Sequence, residues 1–297
     1  MGYKEAKINF YPDRITYIGN KLEGISEEAK QELEDLFPDF DLNDYLANES
    51  EELIIMMSWE RPVMQRSAEF VCENGGDILE IGFPHNAPTA DGPQIQNSSY
   101  RALKNGIKLK DVFQIVKNYK KSKNAKPCIL MGYYQMVYRY GEIKFVKKCK
   151  QVGVNGLIIV DLPWPDNKKF SKLCKKNSIT FVQLLSPTTS KERMKKIIRD
   201  SHDLNYFISM LSTTGGKLKV SPKKILENYN KIKRINKSKN MVIGFGITNK
   251  TIGSFKKADG LVVGSALCKG ISDSVKNRQN PVIKLNKMVK VLKRKIV

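Results

Sequence analysis

The sequence predicts an α/β fold arranged as a (β/α)8, or TIM, barrel. Two patterns predict it. From residue 77 onward, short β-branched apolar runs alternate with longer basic amphipathic stretches. Continuous apolarity over four to six residues suits strands buried on both faces, as in parallel sheets. Polar and glycine-rich residues also collect just after the runs, where the active sites of such barrels lie. An open doubly wound sheet is the architectural alternative.

The runs occupy residues 77–82, 127–132, 156–161, 179–185, 205–210, 241–245 and 260–264. Helical patterns between them cover 109–120, 141–151, 167–176, 191–200, 222–235 and 248–256. Strand and helix alternate at the spacing of βαβ units. An eighth strand must come from upstream, and 53–57 is the one candidate. If it does not fill that slot, the barrel is incomplete at its first strand. Residues 26–37 read as a capped acidic helix that Pro38 stops, and 39–52 as an acidic loop. The chain therefore divides into an acidic N-terminal extension over 1–52 and a barrel over 53–297, with 53–76 as an uncertain first β/α unit.

Charge follows the same division. Residues 1–60 hold 15 acidic and 5 basic side chains, a net of −10, whereas 61–297 carry +32 of the total +22. The lysines are spread over nearly every helical stretch, and no zinc finger, aromatic RNA-binding signature or basic zipper accompanies them. Neither nucleic-acid binding nor a membrane span is expected, for no apolar run approaches the roughly 20 residues a span needs. The start has no signal-peptide pattern, and Ala6 spoils a myristoylation motif at Gly2. Five scattered cysteines without a C-x-x-C pair, and only His85 and His202, make a disulfide framework or metal site improbable. A cytoplasmic protein is expected.

The segment from Leu79 to Asn97 is the richest in chemistry. Glu80 sits near a strand end among apolar neighbours, where burial raises a carboxyl's pKa into the range of a general acid or base. Asp91 follows in a loop rigidified by Pro88 and Pro93, which can fold back toward the same cavity. Two carboxylates in different environments can divide acid and base roles. On spacing alone, a buried structural acid and a turn residue beside Gly92 fit as well. At the other end, Gly244-x-Gly246 follows one strand, and Gly264-Ser265 follows the next and opens a helix. Backbone N–H groups there can hold an anion, and this is a recurrent phosphate position in barrels. Simple strand-to-helix turns are the other reading.

These residues also bring a family into view. From about 77 to 271 the chain closely resembles the tryptophan synthase alpha subunit. The resemblance rests on Leu79-Glu-Ile-Gly-x-Pro84, Pro88-x-Ala-Asp-Gly-Pro-x-Ile-Gln96, Leu130-Met-Gly-Tyr-Tyr134 and Gly153-Val-x-Gly-Leu-Ile-Ile-Val-Asp-Leu-Pro163. Thr213-Thr-Gly215, Gly244-Phe-Gly-Ile247 and Asp259-Gly-x-Val-Val-Gly-Ser-Ala266 follow in the family's order. It implies a lyase that cleaves indole-3-glycerol phosphate to indole and glyceraldehyde 3-phosphate without a cofactor. Glu80 would shuttle protons between indole C3 and the glycerol hydroxyl, Asp91 would meet the indole N–H, and Tyr206 would support them. Gly215, Gly244, Phe245, Gly246, Gly264 and Ser265 would surround the phosphate, with Thr214 on a mobile loop. The implied partner is the tryptophan synthase beta subunit, forming a heterotetramer.

Three departures stand out. His85-Asn86-Ala87-Pro88 replaces the usual Phe-Ser-Asp-Pro, which puts communication with the beta subunit in question. Gln135-Met136 replaces Asn-Pro after the tyrosines. The family's first strand and its Gly-Asp-Pro turn are absent. Instead, Met56-Met57-Ser-Trp59-Glu60-Arg-Pro62-x-Met64 and Asn74-Gly-Gly-Asp-Ile-Leu-Glu-Ile-Gly-Phe83 resemble the entry to guanidinoacetate-type N-methyltransferases, over about 1–83. The S-adenosylmethionine loop is missing, because the chain turns into Pro84-His85-Asn86. A fusion at the shared stretch follows from the two resemblances. The alternatives to the lyase are a non-catalytic, phosphate-binding or partner-docking remnant and, further off, a methyltransferase fragment.

Overall fold

The computed structural model describes residues 75–209, 220–244 and 246–296, and two strands near the N-terminus. Those two, β1 (Lys7–Tyr11) and β2 (Arg14–Ile18), form an antiparallel pair in register Lys7↔Ile18 to Tyr11↔Arg14. The sequence predicts a helix and a loop over 26–52 and assigns no element to the residues before them. Yet apolar and polar residues alternate in both segments (Ile8 and Phe10; Ile15 and Tyr17), the period of a strand. The expected acidic helix over 26–37 and the candidate strand over 53–57 lie outside the described residues.

The remaining strands are parallel and follow one another in space in chain order. β3 (Leu79–Gly82), β4 (Cys128–Gly132), β5 (Gly156–Ile159) and β6 (Thr180–Phe181) form one ladder. β7 (Gln183–Leu185), β8 (Leu204–Ile208), β9 (Asn240–Gly244) and β10 (Gly260–Leu261) form the other. The ladders meet within a single expected strand: β6 pairs with β5, β7 pairs with β8, and Val182 between them donates its N–H to Leu157 O at 2.9 Å. A doubly wound sheet reverses its strand order near the middle. Sequential order without reversal is the winding of a barrel.

Helices follow the strands on the outside: α1 (Pro93–Lys104), α2 (Leu109–Tyr119), α3 (Tyr134–Tyr140), α4 (Glu142–Val152), α5 (Lys168–Lys176), α6 (Lys191–Asp200), α7 (Pro222–Lys233), α8 (Ser265–Lys276) and α9 (Pro281–Arg294). Their buried faces pack on the outer side chains of the strands. Leu79, Ile81, Cys128, Leu130, Leu157 and Ile159 meet Val116, Phe145, Cys149 and Phe170 in one cluster, while Phe207 and Ile243 meet Ile197, Ile225 and Tyr229 in another. The alternate residues point inward. Ile129, Ile158, Val182 and Tyr206, with Met131, Leu184 and Val242, fill the barrel. Period-two alternation thus places Glu80, between the outward-facing Leu79 and Ile81, on the inner face. Lys293 of α9 pairs with Asp77 at 2.9 Å and holds the last helix beside the entry to β3.

The expected helix over 248–256 is only a 3-10 turn, Ile252–Phe255. Side-chain oxygens occupy the local backbone groups: Thr251 Oγ1 donates to Gly246 O at 2.8 Å and accepts from Thr248 N–H at 2.9 Å. Such bonds compete with helix formation. Helix α1 is the reverse case. Gly92-Pro93 was read as part of a rigid loop, but it supplies an N-cap and a proline in the first turn. Among the described residues no helix is long and apolar enough to cross a membrane.

Candidate active site

Glu80 reaches into the barrel from β3, paired across the ladder with Ile129. Water reaches it through a cavity on either side, of about 290 Å³ and about 410 Å³. The side chain is exposed to these cavities, yet the barrel wall around it still hinders hydration of the carboxyl. That low-polarity environment, with the charge of Asp91 adding to it, pushes its pKa up to about 7. A carboxylic acid with that pKa can both give and accept a proton near neutrality.

Asp91 lines the smaller cavity together with Glu80, Phe83, Tyr133, Gly264 and Cys268. It is 3% exposed. The loop that carries it is closed by its own backbone: Asp91 N–H donates to Pro88 O at 3.0 Å, and Gln96 Nε2 donates to Asp91 O at 2.8 Å. Its carboxylate accepts a hydrogen bond from Tyr133 Oη at 2.9 Å, while Tyr133 Oη accepts from Ala90 N–H at 3.1 Å. Burial raises the Asp91 pKa, and the Tyr133 hydrogen bond opposes that rise. Tyr133 in turn is held far from ionisation by burial and by the Asp91 charge. The hydroxyl therefore stays a donor, aimed at one carboxylate.

Tyr206 enters from the opposite side of the barrel on β8 and shares the larger cavity with Glu80. Burial and then the charges of Glu80 and Asp91 drive its pKa well above the ordinary phenol value, so it too remains protonated. Beside it, Gly244 ends β9. Gly246 follows in the left-handed region, at φ +66°, a conformation that glycine adopts without strain. On the neighbouring strand end, Gly264 caps α8 and Ser265 is its first residue. β9 and β10 are adjacent and parallel, with Val262 N–H on Ile243 O at 2.9 Å, so both glycine turns open at the same end of the barrel. Among the described residues, no atom outside its own chain neighbours lies within 4 Å of where a Gly264 Cβ would stand. Helix N-terminal N–H groups facing open space suit an anion.

The described structure thus brings Glu80, Asp91, Tyr206 and Gly264 around two adjoining cavities, with Gly244, Gly246 and Ser265 at the same rim. Thr214, Gly215 and Phe245 lie outside the described residues. Sequence reasoning missed Tyr133 as a functional side chain. The available signal was its place directly after Gly132, at the same end of its strand as the carboxylate loop. Among the described residues no group of three or more His, Cys, Asp or Glu side chains is placed to hold a metal ion.

The tryptophan synthase alpha chain family matches residues 42–297. The match begins well upstream of residue 77, where the motifs become legible. The tryptophan synthase alpha chain of Pelagibacter ubique is 71% identical over 220 residues, 74% of this chain and 83% of that one. The one from Aquifex aeolicus is 39% identical over 203 residues, 67% and 76% of the two chains. Among solved structures, the alpha subunit from Legionella pneumophila superposes with a TM-score of 0.72 at 29% identity, over 79% of this chain and 87% of that one. A structure of the tryptophan synthase α2β2 complex from Pyrococcus furiosus gives 0.70 at 35%, over 79% and 94%. The likeness identifies the sequential arc of parallel strands as a (β/α)8 TIM barrel. Motif order, barrel and extended identity agree: the chain belongs to the tryptophan synthase alpha chain family.

Proposed function

We infer that this chain is a carbon–carbon lyase of tryptophan biosynthesis, cleaving indole-3-glycerol phosphate to indole and glyceraldehyde 3-phosphate. One observation carries the mechanism: an inward-facing carboxyl with a pKa of about 7 shares a cavity with a second, buried carboxyl. Glu80 starts protonated and gives its proton to indole C3. As carboxylate, it then takes the proton of the glycerol hydroxyl adjoining the bond to the ring. That bond breaks, its electron pair returns to the indole ring, the hydroxyl carbon becomes the aldehyde, and Glu80 is protonated again. Protons and electrons balance without an oxidant or cofactor.

Asp91 accepts the indole N–H and stabilises the positive charge that protonation of C3 places on the ring. Tyr206 closes the far side as a neutral phenol. Gly244, Gly246, Gly264 and Ser265, with Gly215 and Phe245, form the phosphate cradle, and Thr214 belongs to the loop that covers it. What supports this assignment is the glycine-bearing turns at neighbouring strand ends beside the N-terminus of α8.

The partner is the tryptophan synthase beta subunit. Ala87 stands where the family usually supplies an acidic residue, so the pairing is expected to stimulate the alpha reaction less than usual. The free thiols of Cys128, Cys149, Cys174 and Cys268 fit a reducing cytoplasm. We keep the division at residues 52 and 53 as a proposal. The family match beginning at residue 42 counts against a methyltransferase-derived seam as late as residue 83. Calorimetry with S-adenosylmethionine checks that remaining resemblance, and measurable binding would revive it.

The deciding experiment is indole release from indole-3-glycerol phosphate by purified full-length protein, with and without beta subunit. Indole formation that Glu80→Ala abolishes is expected. A folded sample that forms none, or one indifferent to Glu80→Ala, overturns the lyase reading in favour of a non-catalytic, phosphate-binding or partner-docking one.

A further inference from the structure

His85 lies outside the chemistry above, yet it is the most heavily anchored residue of the loop that carries Asp91. Its backbone is tied twice to α1: its N–H donates to Ser99 Oγ at 2.9 Å, and Ser99 Oγ donates back to His85 O at 2.8 Å. Its ring is held at both nitrogens. Nδ1 accepts the backbone N–H of Ala87 at 3.1 Å, which leaves the proton on Nε2, 2.9 Å from Gln135 Oε1. Between these contacts the imidazole lies flat on Tyr133, with centroids 4.8 Å apart and planes 20° from parallel. Tyr133 is the residue whose hydroxyl meets Asp91.

We propose that His85 and Gln135 are positioning residues: together they clamp the Tyr133 ring so that its hydroxyl stays on Asp91. The role rests on the lyase reading above. Two segments 50 residues apart in sequence supply the clamp, one after β3 and one after β4. Both residues depart from the usual family pattern, in which Phe and Asn stand at these places. Phenylalanine can stack on the tyrosine but cannot bond at its edges. The His–Gln pair adds a fixed tautomer and a direct tie between the two loops. Asp91 acts on charge that develops in the transition state, so loosening Tyr133 should slow turnover more than it weakens substrate binding.

Steady-state indole release by full-length His85→Ala, His85→Phe and Gln135→Leu tests this, together with His85→Ala in an Asp91→Asn background. A misplaced catalytic group can cost on the order of 100-fold, so kcat of His85→Ala should fall roughly 10- to 100-fold. KM should change by less than about twofold. His85→Phe, which keeps the stack, should lose less, and Gln135→Leu should lose as much as His85→Phe. Where Asp91 is already Asn, removing His85 should cost nothing further. An unchanged kcat in folded His85→Ala overturns the role, as does a full additional loss on top of Asp91→Asn. If His85→Ala does not fold, His85→Phe and Gln135→Leu carry the same comparison. No indole from the wild-type protein overturns the lyase reading and this role with it, whereas a normal wild type with indifferent variants overturns this role alone.

Discussion

The hydroxyl of Tyr206 fills the space that a side chain at Gly244 would need. A Cβ built on Gly244 would stand 1.9 Å from Tyr206 Oη and 2.2 Å from Cζ. The register explains the encounter. Tyr206 pairs with Val242, and Ile208 with Gly244, so the tyrosine ring leans along the inner face onto the next inward-facing position of β9. The sequence offers phosphate binding or a strand-to-helix turn as the reason for Gly244; the barrel gives it a further reason to lack a side chain.

Gly244→Ala should therefore destabilise the protein by about 1–3 kcal/mol, the usual range for overpacking, and displace Tyr206 from the site. Tyr206→Phe should not relieve the clash, because Cζ remains in place. Tyr206→Leu removes the obstructing ring and should restore most of the stability to Gly244→Ala without restoring activity. Denaturant midpoints of the three single and two double variants check the ordering, and rescue by Phe would show that the clash is not with the ring.

That pair shows where the sequence is readable and where it is not. The strand cores were legible because parallel strands are apolar throughout: the run at 127–132 is β4 (Cys128–Gly132), and 156–161 contains β5 (Gly156–Ile159). Glu80 was legible because one carboxyl in such a run has few outlets. Helix α3, Tyr134–Tyr140, was not, since four tyrosine and arginine side chains in seven residues hide any apolar stripe. Tyr133 and Asp91 are 42 residues apart, and no local period announces that they meet. Contacts of this kind are set by the winding of the barrel, not by neighbours in sequence.

Glu80→Gln should abolish indole release, with a loss of about 100- to 10,000-fold, the usual contribution of a general acid–base group. It should also change the pH dependence of stability in a definite sense. The folded protein holds the Glu80 proton up to about 7, against an ordinary value of 4.5. Between those values the native state binds more protons than the unfolded state, so stability falls as pH rises. The stabilisation is complete below 4.5 and lost by passage through 7. The variant has no charge to bury. Its midpoint should match wild type at pH 4 and exceed it at pH 8, and equal midpoints at pH 8 would show that the carboxyl is better hydrated than its surroundings suggest.

The same group should set the alkaline limb of the reaction. Cleavage begins with protonated Glu80, so kcat/KM should decline above about pH 7. Part of the elevation comes from the negative charge of Asp91. Asp91→Asn removes that charge, and the residual activity should lose its alkaline limb at lower pH than wild type. A pH–rate profile of both proteins with indole-3-glycerol phosphate checks this. A limb that moves upward would assign it to a different group.

At the opposite end of the strands, His202 ties β6 to the turn before β8. Its Nδ1 accepts the N–H of Phe181 at 2.9 Å, which leaves Nε2 to donate to Ser171 Oγ at 3.0 Å. The contact to Phe181 requires the neutral ring, because a protonated Nδ1 cannot accept. Burial lowers its pKa from the ordinary 6.5, and the nearby Lys175 lowers it further. The unfolded chain therefore takes up a proton below pH 6.5 that the folded chain resists, and the native state loses stability as pH falls through that value. Asn or Gln at this position can keep one of the two bonds but cannot titrate. His202→Gln should be less stable than wild type at pH 8, by about 1 kcal/mol for a lost hydrogen bond, and the gap should narrow at pH 5. Denaturant melts at the two pH values decide it: a gap that widens on acidification would mean that His202 is protonated in the fold.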